Sequence, residues 1–280
     1  MAILQKSNPK ISIIILNYQT DELVLNLLRL IDLPAGRTPP KALPTERRQE
    51  LEDLEIIVID NSSQNTLSKK LPRSSNIRHF FQNKNIGFSA GNNVGIKKAK
   101  GEWILLLNSD TVTNEKEIRR LMKTCRDNNC EVGAPQLKNK EGSIQNTVGY
   151  FDSSVKHIIN CIFLRPRFIK CESITENTQV DLAIGAALLV KKTVFEKVGL
   201  LDQKNFFMYF EDMDFCYRLF KHKIPILYIP KVQITHYGGE SADKDKNQKN
   251  SNYQKGLNNY IKKYRGNFVV LINKTFKLFR

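Results

Sequence analysis

The sequence predicts an α/β fold: a Rossmann-like, mostly parallel sheet flanked by helices, with a basic helical tail at the C-terminus. Three observations predict it. Short β-branched apolar runs alternate with stretches of helical periodicity, each of the first four runs ends in a polar cluster, and beyond residue 243 the composition shifts to Lys and Asn. With 280 residues, 41% of them hydrophobic, the chain can bury a core that needs no covalent staples, which excludes disorder as its main state. The longest apolar runs, Ile13–Leu16, Trp103–Leu107 and Phe268–Ile272, hold four or five residues, against the ~20 that a membrane span requires. The opening MAILQKSNPK is too polar for a secretory signal, so the expected location is cytoplasmic.

The elements follow in order. Ile11–Leu16 reads as a buried first strand that ends at Asn17-Tyr18-Gln19-Thr20, and Asp21–Ile31 carries Leu23, Leu27, Leu28 and Leu30 at helical spacing. Pro34–Asp53 holds four of the ten prolines and a charged run, and reads as a surface insertion without chemistry. Glu55–Ile59 is a second strand ending at Asp60-Asn61-Ser62-Ser63, Ile77–Phe81 a third ending at Gln82-Asn83, and Glu102–Leu107 a fourth ending at Asn108-Ser109-Asp110. Open α/β sheets bind ligands beyond the carboxyl ends of their strands, so these clusters predict one shared crevice. Later, Ala183–Val190 reads as an apolar strand and Glu211–His222 as a helix with Phe215, Leu219 and Phe220 on one face. Residues 1–243 are taken as one domain and 244–280 as the tail. Five cysteines without a C-x-x-C pair read as reduced thiols, and Cys125 and Cys130 lack the second pair of ligands that zinc needs.

Five places can carry chemistry. Asp60, at the end of an apolar strand, can accept hydrogen bonds from a ribose or a pyrimidine N–H, or can serve the turn before Asn61-Ser62. The glycine-rich stretch NIGFSAGNNVG, residues 85–95, which includes Asn93, suits either a phosphate at a helix N-terminus or close helix–sheet packing. Asp110, after a buried strand, suits a hard divalent cation shared with substrate phosphates. Glu211, Asp212 and Asp214 follow the aromatic run Phe206–Phe210, where mutual repulsion and desolvation raise a carboxyl pKa towards that of a general base, although acids also cap helices. His236, in ITHYGGES, can ligate a metal near a diphosphate or can be structural.

Taken together, the stretches ISIIILNYQT, EIIVIDNSSQNT, NKNIGFSAGNNVGIKKAKGEWILLLNSDT, IGAALLVKKTVFEKVGLLD, NFFMYFEDMDFCYRL and ITHYGGES resemble glycosyltransferase family 2, in its rhamnosyltransferase-like bacterial cell-envelope branch. The resemblance runs from residue 11 to 241 and implies a GT-A type fold. It implies an inverting, metal-dependent transfer from a nucleotide-diphosphate sugar, with dTDP-rhamnose as first choice, to a saccharide or lipid-linked glycan acceptor. It further implies Asp212 as catalytic base with Glu211 beside it, and a Mg2+ or Mn2+ ion on Asp110 and His236. Asn17, Tyr18, Asp60, Asn93 and Asn108 fall to the nucleotide, and Asp214 and Gly185 to support or acceptor. The family's Asp-x-Asp motif here reads Asn108-Ser109-Asp110, which leaves Asp110 as the main anchor.

The rival readings are a nucleotidyltransferase, which would carry a glycine-rich basic loop after the first strand, and a nucleotide-sugar-binding protein without transferase activity. Nucleic acid is not expected as a partner despite the net charge of +16, because no basic recognition helix, zinc finger or RNP-like strand is present. Residues 244–280 hold ten Lys or Arg against one Asp, a local +9. Leu257, Tyr260, Ile261 and Tyr264, then Phe268, Leu271, Ile272, Phe276 and Phe279, recur there at helical spacing. The tail therefore either docks on the domain or lies on an anionic membrane surface, which would place the protein at the inner face of the plasma membrane.

Overall fold

The parallel half of the sheet forms because its strands are β-branched and buried on both sides. In the computed structural model, which describes residues 10–31, 53–151, 166–238 and 246–276, β1 (Ile11–Asn17) and β2 (Leu54–Asp60) are almost wholly inaccessible to solvent. Successive side chains of a strand point to opposite faces. Ile14, Ile57, Ile59 and Leu106 accordingly join one core, while Ile13, Ile15, Ile56, Val58 and Leu105 join the other. The helix α1 (Asp21–Leu30) covers the second core with Val24, Leu25, Leu27 and Leu28. The 34–53 insertion lies outside the described residues but for Asp53, which pairs with Lys10.

The strand β3 (Ile77–Phe81) is followed by α2 (Phe88–Lys98), then by β4 (Trp103–Asn108), the two-residue β5 (Thr111–Val112) and α3 (Glu115–Asp127). Next come β6 (Val132–Lys138), β7 (Val148–Phe151), β8 (Pro166–Phe168), β9 (Thr178–Val180), β10 (Leu182–Ala183), β11 (Ala187–Lys191) and α4 (Lys192–Val198). The chain continues through α5 (Glu211–Lys221), β12 (Ile226–His236) and α6 (Lys246–Phe276). The main sheet has the order β3-β2-β1-β4-β11-β6-β12-β5, with β9 on β12, and β10-β7-β8 form a small second sheet. β3, β2, β1 and β4 are mutually parallel, β12 is parallel to β6, and β11 runs antiparallel to both its neighbours. The expected α/β architecture is thus the observed one. The chain leaves β1 for β2 on one side and returns with β4 on the other, so a topological switch point lies where β1 and β4 end.

One expectation is corrected. The single strand expected over Ala183–Val190 is broken: β10 ends at Ala183 and β11 begins at Ala187, with Ile184-Gly185-Ala186 between them. Of the two readings of the tail, its first part follows docking on the domain. Leu257, Tyr260 and Ile261 are buried in the first core, and Tyr264 packs against it. The helix kinks at Gly266, which has a φ of 81°, and up to that point it is a docked element. Beyond it Val270 also touches the core, while the side chains of Phe268, Leu271, Ile272, Phe276 and Phe279 lie outside the described residues. Among the described residues no helix is long and apolar enough to cross a membrane, and Cys125, Cys130, Cys171 and Cys216 are free and buried.

Candidate active site

The ends of β1 and β4 open into a cavity of about 230 Å³ at the switch point. Leu16 and Tyr18 line it from β1, Asn108, Ser109 and Asp110 from β4, Gly185 from the broken strand, Glu211 and Asp212 from α5, and His236 from β12. Residues more than a hundred positions apart meet here because of strand register: β12 runs antiparallel to β5 with His236 opposite Thr111, and the Tyr237 N–H donates to the Asp110 carbonyl at 2.9 Å. That pairing sets His236 Nε2 3.5 Å from Asp110 Oδ1.

The orientation of His236 follows from its neighbours. The Gln145 Nε2 amide donates to the carbonyl oxygens of Asn139 Oδ1 and His236 O, each at 2.8 Å. Gln145 Oε1 therefore faces His236 Nδ1 at 3.2 Å as an acceptor, and the neutral imidazole carries its proton on Nδ1. Its Nε2 lone pair then points at a carboxylate buried in the cavity wall. A nitrogen and an oxygen lone pair that converge in this way fit a divalent cation, with the remaining positions left to substrate oxygens and water. Among the described residues no three His, Cys, Asp or Glu side chains group around a possible metal position, so those residues would contribute this pair alone.

Asp212 is fixed from two sides. The Met213 N–H donates to its Oδ1 at 2.7 Å and the Gly185 N–H to its Oδ2 at 3.2 Å. A Cβ on Gly185 would come within 3.3 Å of the Asp212 Cβ, so the glycine allows this approach. Burial raises the Asp212 carboxyl above its ordinary value, and the two amides oppose that. Glu211 is pushed well above the ordinary range by burial and then by the Asp212 charge. Its Oε2 is buried without a hydrogen-bond partner. The two carboxyls thus differ: Glu211 is pushed further towards its neutral form, while two backbone amides favour the charged form of Asp212. The corner before them is strained, since Tyr209 and Phe210 both have a φ of 70°.

Other expected site residues lie behind the wall. Asn17 accepts from the Thr20 N–H at 3.1 Å and donates to Asp21 Oδ1 at 3.0 Å and Asp60 Oδ1 at 2.9 Å, so it braces the end of β1 from a fully buried position. Asp60 is also fully buried and does not line the cavity. Burial acts to raise its pKa, but hydrogen bonds from His79, Ser62 and Asn17 outweigh it and hold the carboxyl below the ordinary value. Asn93 is corrected outright: its amide donates to the Leu201 carbonyl and Gln203 Oε1 and accepts from the Leu201 N–H, which ties α2 to the loop before α5. Asp214 is corrected too. It is fully buried, paired with Arg218 and Lys263, and accepts from the Tyr264 hydroxyl at 2.7 Å, so it anchors α6. In the glycine-rich stretch, close packing accounts for Gly95, where a Cβ would lie 2.5 Å from Ile14 Cγ2.

The cavity also has walls that sequence reasoning missed. Asn61 and Asn85 line it, as do Phe207 and Met208 ahead of the strained corner, and Lys249 from α6. Asn61 Oδ1 is buried without a partner while its Nδ2 donates to the Gly87 carbonyl at 3.1 Å. Asn61 and Asn85 stand in stretches already singled out. Lys249 stands in the tail, where only its charge was noticed.

The family model of glycosyl transferase family 2 matches residues 40–199. The chain belongs to glycosyltransferase family 2. It is 30% identical over 230 residues to the low-salt glycan biosynthesis hexosyltransferase of Haloferax volcanii, covering 81% of this chain and 66% of that protein. It is 24% identical over 206 residues to the dTDP-rhamnosyl transferase of Shigella flexneri, covering 72% and 66%. To the N-acetylglucosaminyl-diphospho-decaprenol L-rhamnosyltransferase of Mycobacterium tuberculosis it is 24% identical over 226 residues, covering 73% and 71%. The chain thus spans 66% of the length of the first two relatives. Among solved structures, GalNAc-T7 with UDP, GalNAc and Mn2+ superposes at a TM-score of 0.63, with 14% identity and coverage of 91% of this chain and 47% of that one. The mannosyltransferase of Pyrobaculum calidifontis with GDP-Man and Mn2+ superposes at 0.52, with 13% identity and coverage of 86% and 59%. At these identities the likeness is one of fold, and the fold is the GT-A type.

Proposed function

We propose that this family 2 chain transfers a sugar from a nucleotide-diphosphate sugar to an acceptor hydroxyl, with inversion at the anomeric carbon. The observation that carries the reading is the contrast between neighbours in one cavity: an Asp212 carboxyl fixed by two backbone amides beside a Glu211 whose buried Oε2 has no hydrogen-bond partner. Asp212 accepts the acceptor's proton as that oxygen forms its bond to the anomeric carbon, and the carbon–oxygen bond to the diphosphate breaks with its electron pair leaving on the phosphate. The raised pKa of Asp212 strengthens it as a base, and the amides hold it in place at no cost during the reaction. Asp110 and His236 would hold a Mg2+ or Mn2+ ion, which supplies Lewis-acid stabilisation of the charge on the leaving diphosphate. Tyr18, Asn61, Asn85 and Asn108 line the same cavity, and their amide and hydroxyl groups are assigned to the nucleoside.

The names of the relatives support dTDP-rhamnose as the first donor to test, with hexose donors next, and a lipid-linked saccharide as acceptor. Membrane contact would rest on the part of α6 beyond Gly266, where the sequence sets Phe268, Leu271, Ile272 and Phe276 beside Lys274. The test is Asp212→Asn. Loss of base help should lower the rate of transfer by ~10²–10⁴-fold while donor binding survives. Unchanged turnover would remove Asp212 from the mechanism, and a wild-type chain that binds donor without consuming it would remove the transferase.

A further inference from the structure

We infer that Lys249, on the C-terminal helix, is a donor-binding residue that contacts the diphosphate; the inference rests on the transferase reading above. The cavity is acidic, lined by Asp110, Glu211 and Asp212, and among its described lining residues Lys249 is the one lysine or arginine. A nucleotide diphosphate brings at least two more negative charges. Burial and the Asp212 charge favour the neutral form of Glu211, so the negative charge to be balanced lies on the other carboxyls of the cavity and the diphosphate. One divalent cation leaves that sum negative, and an ammonium offsets part of the remainder. Lys249 is exposed, lines the cavity and makes no ion pair with a carboxylate among the described residues.

The helix that carries it is firmly seated. About four turns downstream, Lys263 pairs with Asp202 and Asp214, and about three turns downstream the Asn259 amide donates to the Asn205 carbonyl at 2.7 Å. One turn from Lys249, the Tyr253 ring packs 5.0 Å from that of Phe210 and 6.0 Å from that of Tyr209. Gly256 then lies so close to the strained corner that a Cβ there would be 2.7 Å from the Tyr209 carbonyl oxygen. Lys249 is therefore presented by a fixed backbone, while its flexible stem and three donors can follow phosphate oxygens. The basic tail, read from the sequence as docking either on the domain or on a membrane, thus brings one of its lysines to the rim of the cavity.

The experiment compares wild type with Lys249→Gln and Lys249→Arg by titration calorimetry in the presence of Mn2+. The probes are thymidine, uridine and guanosine diphosphates, each beside its monophosphate and nucleoside. A charge-assisted hydrogen bond is worth roughly tenfold or more in affinity. Lys249→Gln should weaken the preferred diphosphate by about that factor, leave the nucleoside unchanged, and lose the wild type's salt sensitivity, while Lys249→Arg should recover most of the affinity. Equal affinity in Lys249→Gln, or equal weakening of diphosphate and nucleoside, overturns the assignment and leaves the transferase reading standing. A wild type that binds none of the diphosphates overturns both. Matching thermal unfolding of the variants confirms that the fold is intact.

Discussion

Gly256→Ala tests whether the C-terminal helix holds the acidic corner in place. The added methyl would lie 2.7 Å from the Tyr209 carbonyl oxygen and 3.0 Å from Phe210 Cδ2, whereas ordinary contact begins at 3.4 Å. The carbonyl belongs to the backbone and cannot swing away as a side chain can, so helix and corner must separate by about 0.7 Å, the shortfall in contact distance. Replacing glycine within a helix gains about 1 kcal/mol, and overpacking costs about 1–3 kcal/mol, so the net loss of stability is expected at about 0–2 kcal/mol. The effect on chemistry is expected to be larger. Tyr209 and Phe210 hold left-handed conformations immediately before Glu211 and Asp212, and a misplacement of about 1 Å can cost ~10²-fold in rate. Steady-state transfer and urea unfolding, measured on one preparation, should show kcat down about tenfold or more with a midpoint shift that is slight. If Gly256→Ala is as stable as wild type and turns over within twofold of it, the helix does not hold the corner, and the reasoning fails.

Glu211→Gln should change how stability depends on pH. Its folded pKa is raised, so the folded state binds the extra proton, and wild-type stability should fall as pH rises from the unfolded value of about 4.3 through the folded one. The glutamine variant should lose that decline in thermal melts across the window, and parallel melts for the two would contradict it. Gly95→Ala should destabilise by about 1–2 kcal/mol in urea, because its Cβ meets the buried Ile14 at 2.5 Å and overpacking outweighs the gain in helix propensity. An unchanged midpoint would show that α2 has room to move. Asp110→Asn should abolish the enhancement of nucleoside-diphosphate binding by Mn2+ in calorimetry; an enhancement equal to that of wild type would move the cation elsewhere.

Much of the fold was legible because its signals are local. β-branched runs such as Ile11–Leu16 can only be buried strands, and the polar residues behind them marked the crevice. What the sequence could not show was which polar residues are consumed by the fold. Asn93 and Asp214 carry the same chemistry as Asn108 and Asp212, yet their partners, Leu201 and Lys263, lie far along the chain and become visible only in three dimensions. Asp60 illustrates the same ambiguity, since a strand-end carboxylate can face a ligand or serve Asn17, Ser62 and His79. The break at Gly185 was hidden within an apolar run that looked continuous, and it is what frees the amide for Asp212. The tail followed its periodicity as far as Tyr264, but amphipathic spacing does not say whether the apolar face meets lipid or protein.

The register of β12 against β5 also bears on how the molecule is made. During synthesis the parallel strands β3, β2, β1 and β4 emerge well before β12, so Asp110 leaves the ribosome more than a hundred residues ahead of His236. Asp214 then waits for Lys263 and Tyr264, which are translated later still. A nascent chain therefore holds Asp214 with Arg218 alone until Lys263 and Tyr264 follow, and α6 is the last of the described helices to appear. Donor binding should be absent from chains arrested before α6 and present once α6 has emerged, and chains arrested before it should be recognised by quality control as unfinished.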